Sequence, residues 1–351
     1  LTGRYQQRFG FYQASDSRQG MPLSEKTLAQ YLKEEGYSTG IFGKWHLGLE
    51  FDYRPIQRGF ENFYGFLGHG AHSYFDLDCN ENDLHNCIYR NNEIINDAGY
   101  LTDNLAKESC DFIEQNTNAE HPFFLYLPFN AVHWPLEAPA EDIARFNTGD
   151  KDRDIMLGML YRMDQAIGKV LDKLKSENLY QNTLIFYFSD NGGAKKIHAN
   201  NMPLQDFKQS TYEGGIRVPF IVSWPANWKA NTIDDPVISL DILPTILDVV
   251  GKKLPSDRKF DGKSLVPLIL GEQDGPLHES LFWDGDEDKW AVREGDFKLV
   301  KNNQGKIELY NLAKDIGEKN DIISEHTELA DRLKNRYDEW RAEMKSPMGK
   351  K

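Results

Sequence analysis

Apolar runs of strand length alternate with helical stretches over the first 270 residues, and no other feature constrains the fold as strongly. Residues 122–129 and 183–189 are two such runs, and between them apolar side chains recur at helical spacing from Ile155 to Leu174. Continuous apolar strands are typical of sheets that are buried on both faces. The alternation therefore predicts an α/β domain over residues 1–270, with a large, mostly parallel mixed sheet flanked by helices.

The pattern changes near Gly271. Short strand-like segments are then separated by turn residues, and a charged helical stretch spans residues 328–343. Short segments of this kind are typical of antiparallel pairing. We therefore expect a C-terminal subdomain over residues 271–351, made of a small antiparallel sheet and a terminal helix.

Two local elements near the start of the chain precede the first candidate site. Residues 23–35 follow a helical pattern, with Ser24 in position to cap the helix and Gly36 to end it. A short strand is predicted at residues 39–42.

The stretch 43–48, Gly-Lys-Trp-His-Leu-Gly, directly follows that strand. Lys44 and His46 are two residues apart, so both point to one side if the segment is extended. Glycines at both ends allow the backbone to approach a ligand closely. The stretch is either a ligand-binding segment or a loop with a solvated lysine and a packed histidine.

Another histidine follows the apolar run 122–129. His133 lies in the stretch 130–135, Asn-Ala-Val-His-Trp-Pro. Open α/β sheets bind ligands at strand ends, which favours a functional histidine. The alternative is a structural histidine packed beside Trp134.

An oxygen-rich turn ends the run 183–189. Asp190 and Asn191 precede two glycines and offer a carboxylate and an amide carbonyl, which are hard oxygen ligands for Ca²⁺ or Mg²⁺. The alternative is an Asn-Gly turn with a capping aspartate.

Two basic residues stand at the ends of the stretch 208–217. Lys208 and Arg217 could bind an anion. For Arg217, we expect an internal salt bridge with Glu213 instead. The alternative for the whole stretch is a surface loop.

The net charge limits the partners of the chain. There are 41 Lys and Arg against 55 Asp and Glu, a formal net charge of −14. This field repels nucleic acid and anionic membranes, so neither is an expected partner, and no apolar run reaches the length of a membrane span. A polyanionic substrate would require positive charge concentrated at its own site.

The three cysteines do not form a disulfide framework. Cys79 and Cys87 flank a polar loop and could pair, while Cys110 lies on the apolar face of a predicted helix. Their spacing alone does not decide the pairing.

Taken in order, the four stretches resemble the signatures of the type I sulfatases, calcium-dependent sulfate-ester hydrolases of the alkaline-phosphatase-like superfamily. Residues 43–48 resemble the second signature, His133 the histidine before a proline, residues 189–193 the metal-binding turn, and Lys208 the lysine before Tyr-Glu-Gly-Gly. The stretch 308–320 is also similar, so the resemblance covers essentially the whole chain. It implies an alkaline-phosphatase-like fold and hydrolysis of an organic sulfate.

The resemblance also implies a nucleophile that the sequence does not contain. In the family, the Cys or Ser of Cys/Ser-x-Pro-Ser-Arg becomes formylglycine, and residues 1–4, Leu-Thr-Gly-Arg, resemble the tail of that signature. The formylglycine and a pair of calcium-binding aspartates are therefore expected upstream of Leu1. Asp190 and Asn191 would hold Ca²⁺, with Mg²⁺ as the less favoured ion.

The resemblance assigns further roles to residues that are present. Lys44 and Lys208 would bind sulfate oxygens, and His133 would protonate the leaving alkoxide. His46 would take a proton from formylglycine while the covalent sulfate intermediate breaks down.

Residues 65–75 resemble bacterial sulfatases that act on polysaccharides, which predicts a sulfated carbohydrate as the substrate. The candidates for a sugar subsite are His69, His72, Tyr74, Trp134 and His198. The alternative is that they pack within loops. A secreted or periplasmic location is implied by the same resemblance.

Two other functions compete with hydrolysis of a sulfate ester. A catalytically inactive protein that binds sulfated glycans fits the missing nucleophile. A phosphatase or phosphodiesterase of the same superfamily would hold two zinc ions through several His and Asp ligands, and the sequence shows no Asp-x-x-x-His-x-x-His cluster.

Overall fold

The computed structural model describes residues 1–13, 20–68, 72–80, 83–285 and 288–348. It divides the chain into two compact units. One, the five-stranded unit, comprises Ala14–Thr183 and Lys196–Ala199, and the other, the four-stranded unit, comprises Leu1–Gln13, Leu184–Lys195 and Asn200–Lys351. The domain boundary near Gly271 stays a prediction from the sequence.

The five-stranded unit alternates helices and strands. Its elements in chain order are α1 (Leu28–Glu34), β1 (Ser38–Lys44), β2 (Asn62–Phe66), β3 (Ile88–Arg90), β4 (Glu93–Ile95), α2 (Leu101–Asn116), β5 (Phe123–Tyr126), α3 (Ala140–Ile143) and α4 (Lys151–Ser176).

The sheet of this unit is mixed, with strand order β4-β3-β2-β1-β5. Strand β1 runs parallel to β2 on one side and to β5 on the other, whereas β2–β3 and β3–β4 pair antiparallel. The predicted mixed α/β sheet with flanking helices is confirmed. Its parallel part is the β2-β1-β5 core, where the carboxyl ends of adjacent strands meet at one edge.

Helix α1 begins later than the sequence pattern indicates. Its N-cap is Thr27, whose side chain accepts from the Gln30 backbone N–H while the Gln30 side chain accepts from the Thr27 N–H. Such a reciprocal capping box satisfies two N–H groups that the helix itself cannot pair. The predicted cap at Ser24 is therefore wrong.

Aromatic side chains hold helix α2 against the sheet. Phe112 of α2 lies with its ring centroid 5.5 Å from that of Phe42 and 5.9 Å from that of Phe123. Leu105, on the same helix face, is fully buried. Each such buried side chain contributes about 1.5–3 kcal/mol through removal of apolar surface from water, so this face fixes the strands that lead to the candidate site.

Strand β5 is less buried than its apolar sequence predicts. All four of its residues are half-buried, because among the described strands β5 pairs only with β1. The prediction of a strand covered on both faces is wrong for the part of the chain that the structure describes.

The four-stranded unit contains the rest of the elements. They are β6 (Ile185–Phe188), α5 (Glu213–Ile216), β7 (Phe220–Ser223), α6 (Ile242–Val249), α7 (Val266–Leu270), β8 (Leu281–Asp284), β9 (Trp290–Glu294), β10 (Phe297–Lys301), β11 (Ile307–Asn311) and α8 (Thr327–Ala342).

Strands β8 to β11 form an antiparallel sheet in the order β11-β10-β9-β8, and β6 and β7 form a separate antiparallel pair. Helix α8 packs on the sheet through stacked rings, with Trp290 and Tyr337 at 4.4 Å and Phe282 and Trp340 at 5.1 Å between centroids. The predicted C-terminal sheet and terminal helix are confirmed.

Cys79 and Cys87 form a disulfide, which resolves the alternative that their spacing left open. Cys110 is a free, half-buried thiol. Over the described part of the chain, no helix combines the length and the apolar character that crossing a bilayer demands.

Candidate functional site

Lys44 is the last residue of β1, at the carboxyl end of the parallel core. Its N–H donates to the Pro128 carbonyl at 3.0 Å. A Cβ at Gly43 would overlap that same carbonyl oxygen, and the Gly43 φ of 142° is one that side chains rarely adopt. Only glycine therefore lets the two chain segments approach closely enough to hold Lys44 in this position.

His46 follows in a left-handed conformation, with φ of 56°. The Trp45 N–H still donates to the Phe66 carbonyl, and the buried Trp45 indole donates to the Tyr53 carbonyl at 2.8 Å. The expectation of an extended Lys44–His46 segment is wrong at His46, because the backbone turns there once Trp45 is anchored. A non-glycine residue with this backbone is uncommon and is found at functional sites.

His133 is held by backbone contacts on both sides. Its N–H donates to the Asn130 carbonyl at 2.7 Å, and the Tyr74 hydroxyl lies within hydrogen-bond distance of both the Asn130 and the His133 carbonyls. The Nδ1 atom lies 2.8 Å from the Trp134 carbonyl. A carbonyl only accepts, so this contact assigns a proton to Nδ1 and makes Nε2 the nitrogen that can exchange one.

Lys44 ends β1 and His46 lies just beyond it, while His133 follows β5, which is adjacent and parallel to β1. This is the edge at which open α/β sheets bind their ligands. The five-stranded unit brings these three predicted residues to one sheet edge.

Asn130 is a polar residue of this edge that the sequence analysis did not single out. Its side chain is 4% exposed, and neither amide atom has a hydrogen-bond partner among the described residues. A buried amide left unpaired costs about 1–3 kcal/mol, so this group is suited to contact a bound polar molecule. The only sequence signal is its position after a strand.

His72 and Tyr74 are buried. His72 is 4% exposed, and its ring centroid lies 5.0 Å from that of Phe66. Burial lowers the pKa of His72. The assignment of these two residues to a sugar subsite stays a prediction, and His69 lies outside the described residues.

Trp134 is 43% exposed, and its place in a sugar subsite stays a prediction. The Lys196 Nζ lies 3.9 Å from the centroid of its ring, a cation–π contact that the sequence did not indicate. One face of the predicted sugar platform is therefore covered by a cation.

His198 contacts the beginning of α4. Its Nδ1 lies 2.5 Å from an Asp150 carboxylate oxygen and its Nε2 lies 3.5 Å from one of Asp152, and its carbonyl accepts from Arg153 at 2.7 Å. The hydrogen bond with His198 lowers the pKa of Asp150. Both ring nitrogens face carboxylates, so His198 anchors its own loop, and its assignment to the sugar subsite stays a prediction.

The oxygen-rich turn and the Lys208 loop lie together in the four-stranded unit. The Lys208 N–H donates to the Gly193 carbonyl at 3.0 Å, and the Gly192 N–H donates to the Gly215 carbonyl at 3.0 Å. The Asn201 side chain bonds both the N–H and the carbonyl of Gly193. The structure therefore joins two stretches that are separate in the sequence, and Asn201 is a second residue that the sequence analysis did not single out.

The side-chain oxygens of this turn are of the type that binds a hard cation such as Ca²⁺. Asp190 is exposed, and the Asn191 amide nitrogen donates to the Gly192 carbonyl at 3.0 Å. Calcium prefers 6–8 oxygen ligands, whereas no cluster of three or more His, Cys, Asp or Glu suited to a metal occurs in the described ranges. Asp190 and Asn191 are thus two suitable ligands of a set that needs more.

A buried ion cluster supports the Lys208 loop from within. The Lys298 Nζ donates to Glu213 at 2.8 Å and to Glu318 at 2.9 Å, and all three side chains are at most 2% exposed. Burial acts to raise the pKa of Glu213, but the Lys298 ammonium outweighs it and the pKa is lowered. For Glu318, burial prevails and the pKa is raised.

The predicted ion pair between Arg217 and Glu213 is confirmed, with 3.5 Å between Nη1 and the carboxylate. Glu213 has a second partner, Lys298, whose ammonium compensates the charge of the buried carboxylate. The network with Lys298 ties α5, which follows Lys208, to strand β10.

The fold is the alkaline-phosphatase-like α/β fold. The model of the sulfatase family matches residues 1–252, and a model described as N-sulphoglucosamine sulphohydrolase, C-terminal, matches residues 205–343. The chain belongs to the sulfatase family.

Three relatives give the extent of this similarity. The uncharacterized sulfatase YdeN of Escherichia coli is 31% identical over 84% of the chain and 56% of its own length, and the N-acetylgalactosamine-6-sulfatase of Canis lupus familiaris is 32% identical over 85% and 60%. The crystal structure of Ps i-CgsB in complex with k-i-k-neocarrahexaose superposes with a TM-score of 0.93 at 34% identity, covering 99% of this chain and 82% of that one. The chain thus spans little more than half the length of these curated relatives.

Proposed function

We propose that this protein hydrolyses a sulfate ester of a carbohydrate. The observation that carries the proposal is the position of Lys44 at the carboxyl end of β1, with His46 just beyond it and His133 after the adjacent, parallel β5. A sulfate ester needs fixed positive charge against its oxygens and a proton donor for its leaving oxygen. Lysine and histidine at one sheet edge supply both kinds of group.

In this proposal the ammonium groups of Lys44 and Lys208 bind sulfate oxygens. The His133 Nε2 donates the proton that the departing alkoxide requires, while the Nδ1 contact with the Trp134 carbonyl keeps the ring oriented. His46 acts as the second proton-transfer group. Its unusual backbone supports a role that depends on orientation.

Asp190 and Asn191 would hold Ca²⁺ through their side-chain oxygens. A bound calcium ion would supply positive charge against the sulfate. The hydrogen bonds of Gly192, Gly193 and Asn201 fix the turn in which these two residues lie.

A carbohydrate substrate is supported by the relatives. One relative is named for N-acetylgalactosamine 6-sulfate and a similar crystal structure contains a neocarrahexaose. A secreted or periplasmic location is part of the same proposal, because the resemblance to bacterial polysaccharide sulfatases implies it.

Kinetics of an N-terminally extended form that carries the expected nucleophile tests the role of His133. His133→Ala should slow hydrolysis of a sulfated disaccharide by about 10²–10⁴-fold and change hydrolysis of an activated aryl sulfate far less, because a good leaving group needs no acid. Equal losses on both substrates would remove His133 from this role.

Asp190→Ala should abolish calcium-dependent activity, and full calcium binding by that variant would rule out Asp190 as a ligand.

A second candidate is binding of sulfated glycans without turnover; the absence of Cys/Ser-x-Pro-Ser-Arg from residues 1–351 fits it and fits an upstream location of that motif equally well. Titration of one sulfated oligosaccharide against this chain and the extended form separates the two. Binding by both with sulfate release by neither would favour the binding protein.

A further inference from the structure

Lys196 and Trp134 form an exposed contact within the five-stranded unit. The Lys196 side chain is exposed, and its Nζ lies 3.9 Å from the centroid of an indole that is itself 43% exposed. An aromatic face attracts an ammonium without neutralising it, unlike a carboxylate. The contact therefore positions a full positive charge on the residue that follows His133.

The segment Lys196–Ala199 is anchored so that this charge stays in place. His198 bonds Asp150 and lies within reach of Asp152, and Arg153 holds the His198 carbonyl. The Asp150 carboxylate also accepts from the backbone N–H groups that begin α4. Histidine and helix N–H groups thus engage the nearby carboxylates.

The negative net charge of the chain makes a local cation important for binding an anionic substrate. At −14, the protein repels a polyanion at long range, so a substrate with several anionic groups must meet positive charge close to the site. Lys196 covers one face of Trp134, and on that face it offers a charge-assisted hydrogen bond in place of apolar stacking.

We infer that Lys196, held over Trp134, binds a second anionic substituent of the carbohydrate, separate from the sulfate that is hydrolysed. The inference rests on the proposed function and narrows its substrate to carbohydrates with at least two anionic groups. The second group is a sulfate or a carboxylate, because an ammonium donates to either. His198 is a positioning residue for this subsite.

Calorimetric titration of this chain tests the inference with three forms of one galactose-containing disaccharide. They carry one sulfate, two sulfates, or one sulfate and one carboxylate. We expect the doubly charged sugars to bind about tenfold more tightly than the monosulfated one, which corresponds to 1.4 kcal/mol. The better of the two doubly charged sugars identifies the second group.

Variants separate a specific contact from general attraction of anions. Lys196→Ala should bring the affinity ratio of doubly to singly charged sugars near one, Lys196→Arg should restore it, and Lys195→Ala, at the exposed neighbouring lysine, should leave it unchanged. His198→Ala should lower the ratio partly. The inference alone would be overturned by an unchanged affinity ratio in Lys196→Ala, or by equal falls of the ratio in Lys195→Ala and Lys196→Ala. If the unaltered chain bound none of the sugars, the proposed function would be overturned as well.

Discussion

Two lysines, one in each unit, show opposite uses of the same side chain. Lys298 is fully buried and donates to two buried carboxylates, whereas Lys196 is exposed and lies over an aromatic ring. Burial of an ammonium is tolerated only when its charge is compensated. The carboxylates make Lys298 part of the fold, and the indole leaves Lys196 able to bind an anion.

This contrast indicates which charges of an acidic protein are available to a ligand. The Lys298 cluster ties α5 to β10, and its charged groups are buried and paired with one another. The loop that carries Lys196 is attached through exposed contacts with Asp150 and Asp152. Changes at the two lysines should therefore separate stability from binding.

The largest effect is expected from Lys298→Met. Removal of the ammonium leaves Glu213 and Glu318 buried and uncompensated, which costs about 3–5 kcal/mol of unfolding free energy. Lys301→Met, on the same strand but in an ion pair with the exposed Asp288, should cost less than about 1 kcal/mol. Urea denaturation measures both, and equal losses would remove the distinction between buried and exposed cations.

The two carboxylates of the cluster should depend on pH in opposite senses. The lowered pKa of Glu213 makes its contribution present above the unfolded value near 4.5 and lost as the pH falls through the folded pKa. The raised pKa of Glu318 makes its contribution present below that value and lost as the pH rises through the folded pKa. Each group changes the slope by at most about 1.4 kcal/mol per pH unit.

Glu213→Gln and Glu318→Gln are the matched variants for this test. Unfolding free energies measured from about pH 3 to pH 7 should fall less steeply with acid in Glu213→Gln and more steeply in Glu318→Gln, relative to the unaltered chain. Slopes that change in the same direction would contradict opposite titration of the two groups.

A much smaller loss is expected from Lys196→Met. An exposed cation–π contact contributes about 0.5–1 kcal/mol, so the urea midpoint should hardly move while the affinity for doubly charged sugars falls. A loss of stability comparable with that of Lys298→Met would show that Lys196 also supports the fold.

The smallest effect on stability is expected from His198→Ala, whose contacts are exposed. The indole N–H signal of Trp134 in a nitrogen-15 spectrum should nevertheless shift, because the anchor of Lys196 is lost. Lys196→Met gives the position of this signal when the contact with Trp134 is lost. An unchanged signal in His198→Ala would show that His198 does not position Lys196.

The periodic elements could be predicted from the sequence because local pattern decides them. The helix containing Ile155 and Leu174 and the antiparallel C-terminal strands follow directly from spacing and turn residues. The start of α1 could not, since Ser24 and Thr27 are both good caps and the reciprocal bonds of Gln30 select the second. The exposure of β5 could not either, because it depends on which strands pair with it.

The candidate site was predicted unevenly for the same reason. Lys44 follows a glycine at a strand end, His133 follows an apolar strand and Lys208 precedes a pair of glycines, and a sequence displays all three features. The burial of His72, the pairing of His198 with two aspartates and the position of Lys196 over Trp134 depend on contacts between distant segments. No local pattern reports such contacts.

The most direct test of the sulfatase account is the release of inorganic sulfate, followed by ion chromatography. The N-terminally extended form is supplied with a sulfated disaccharide and, separately, with its phosphorylated counterpart. The account predicts that sulfate is released faster than phosphate and that Lys208→Ala abolishes the release. Faster release of phosphate, or no release of sulfate from a sugar that binds, would contradict it.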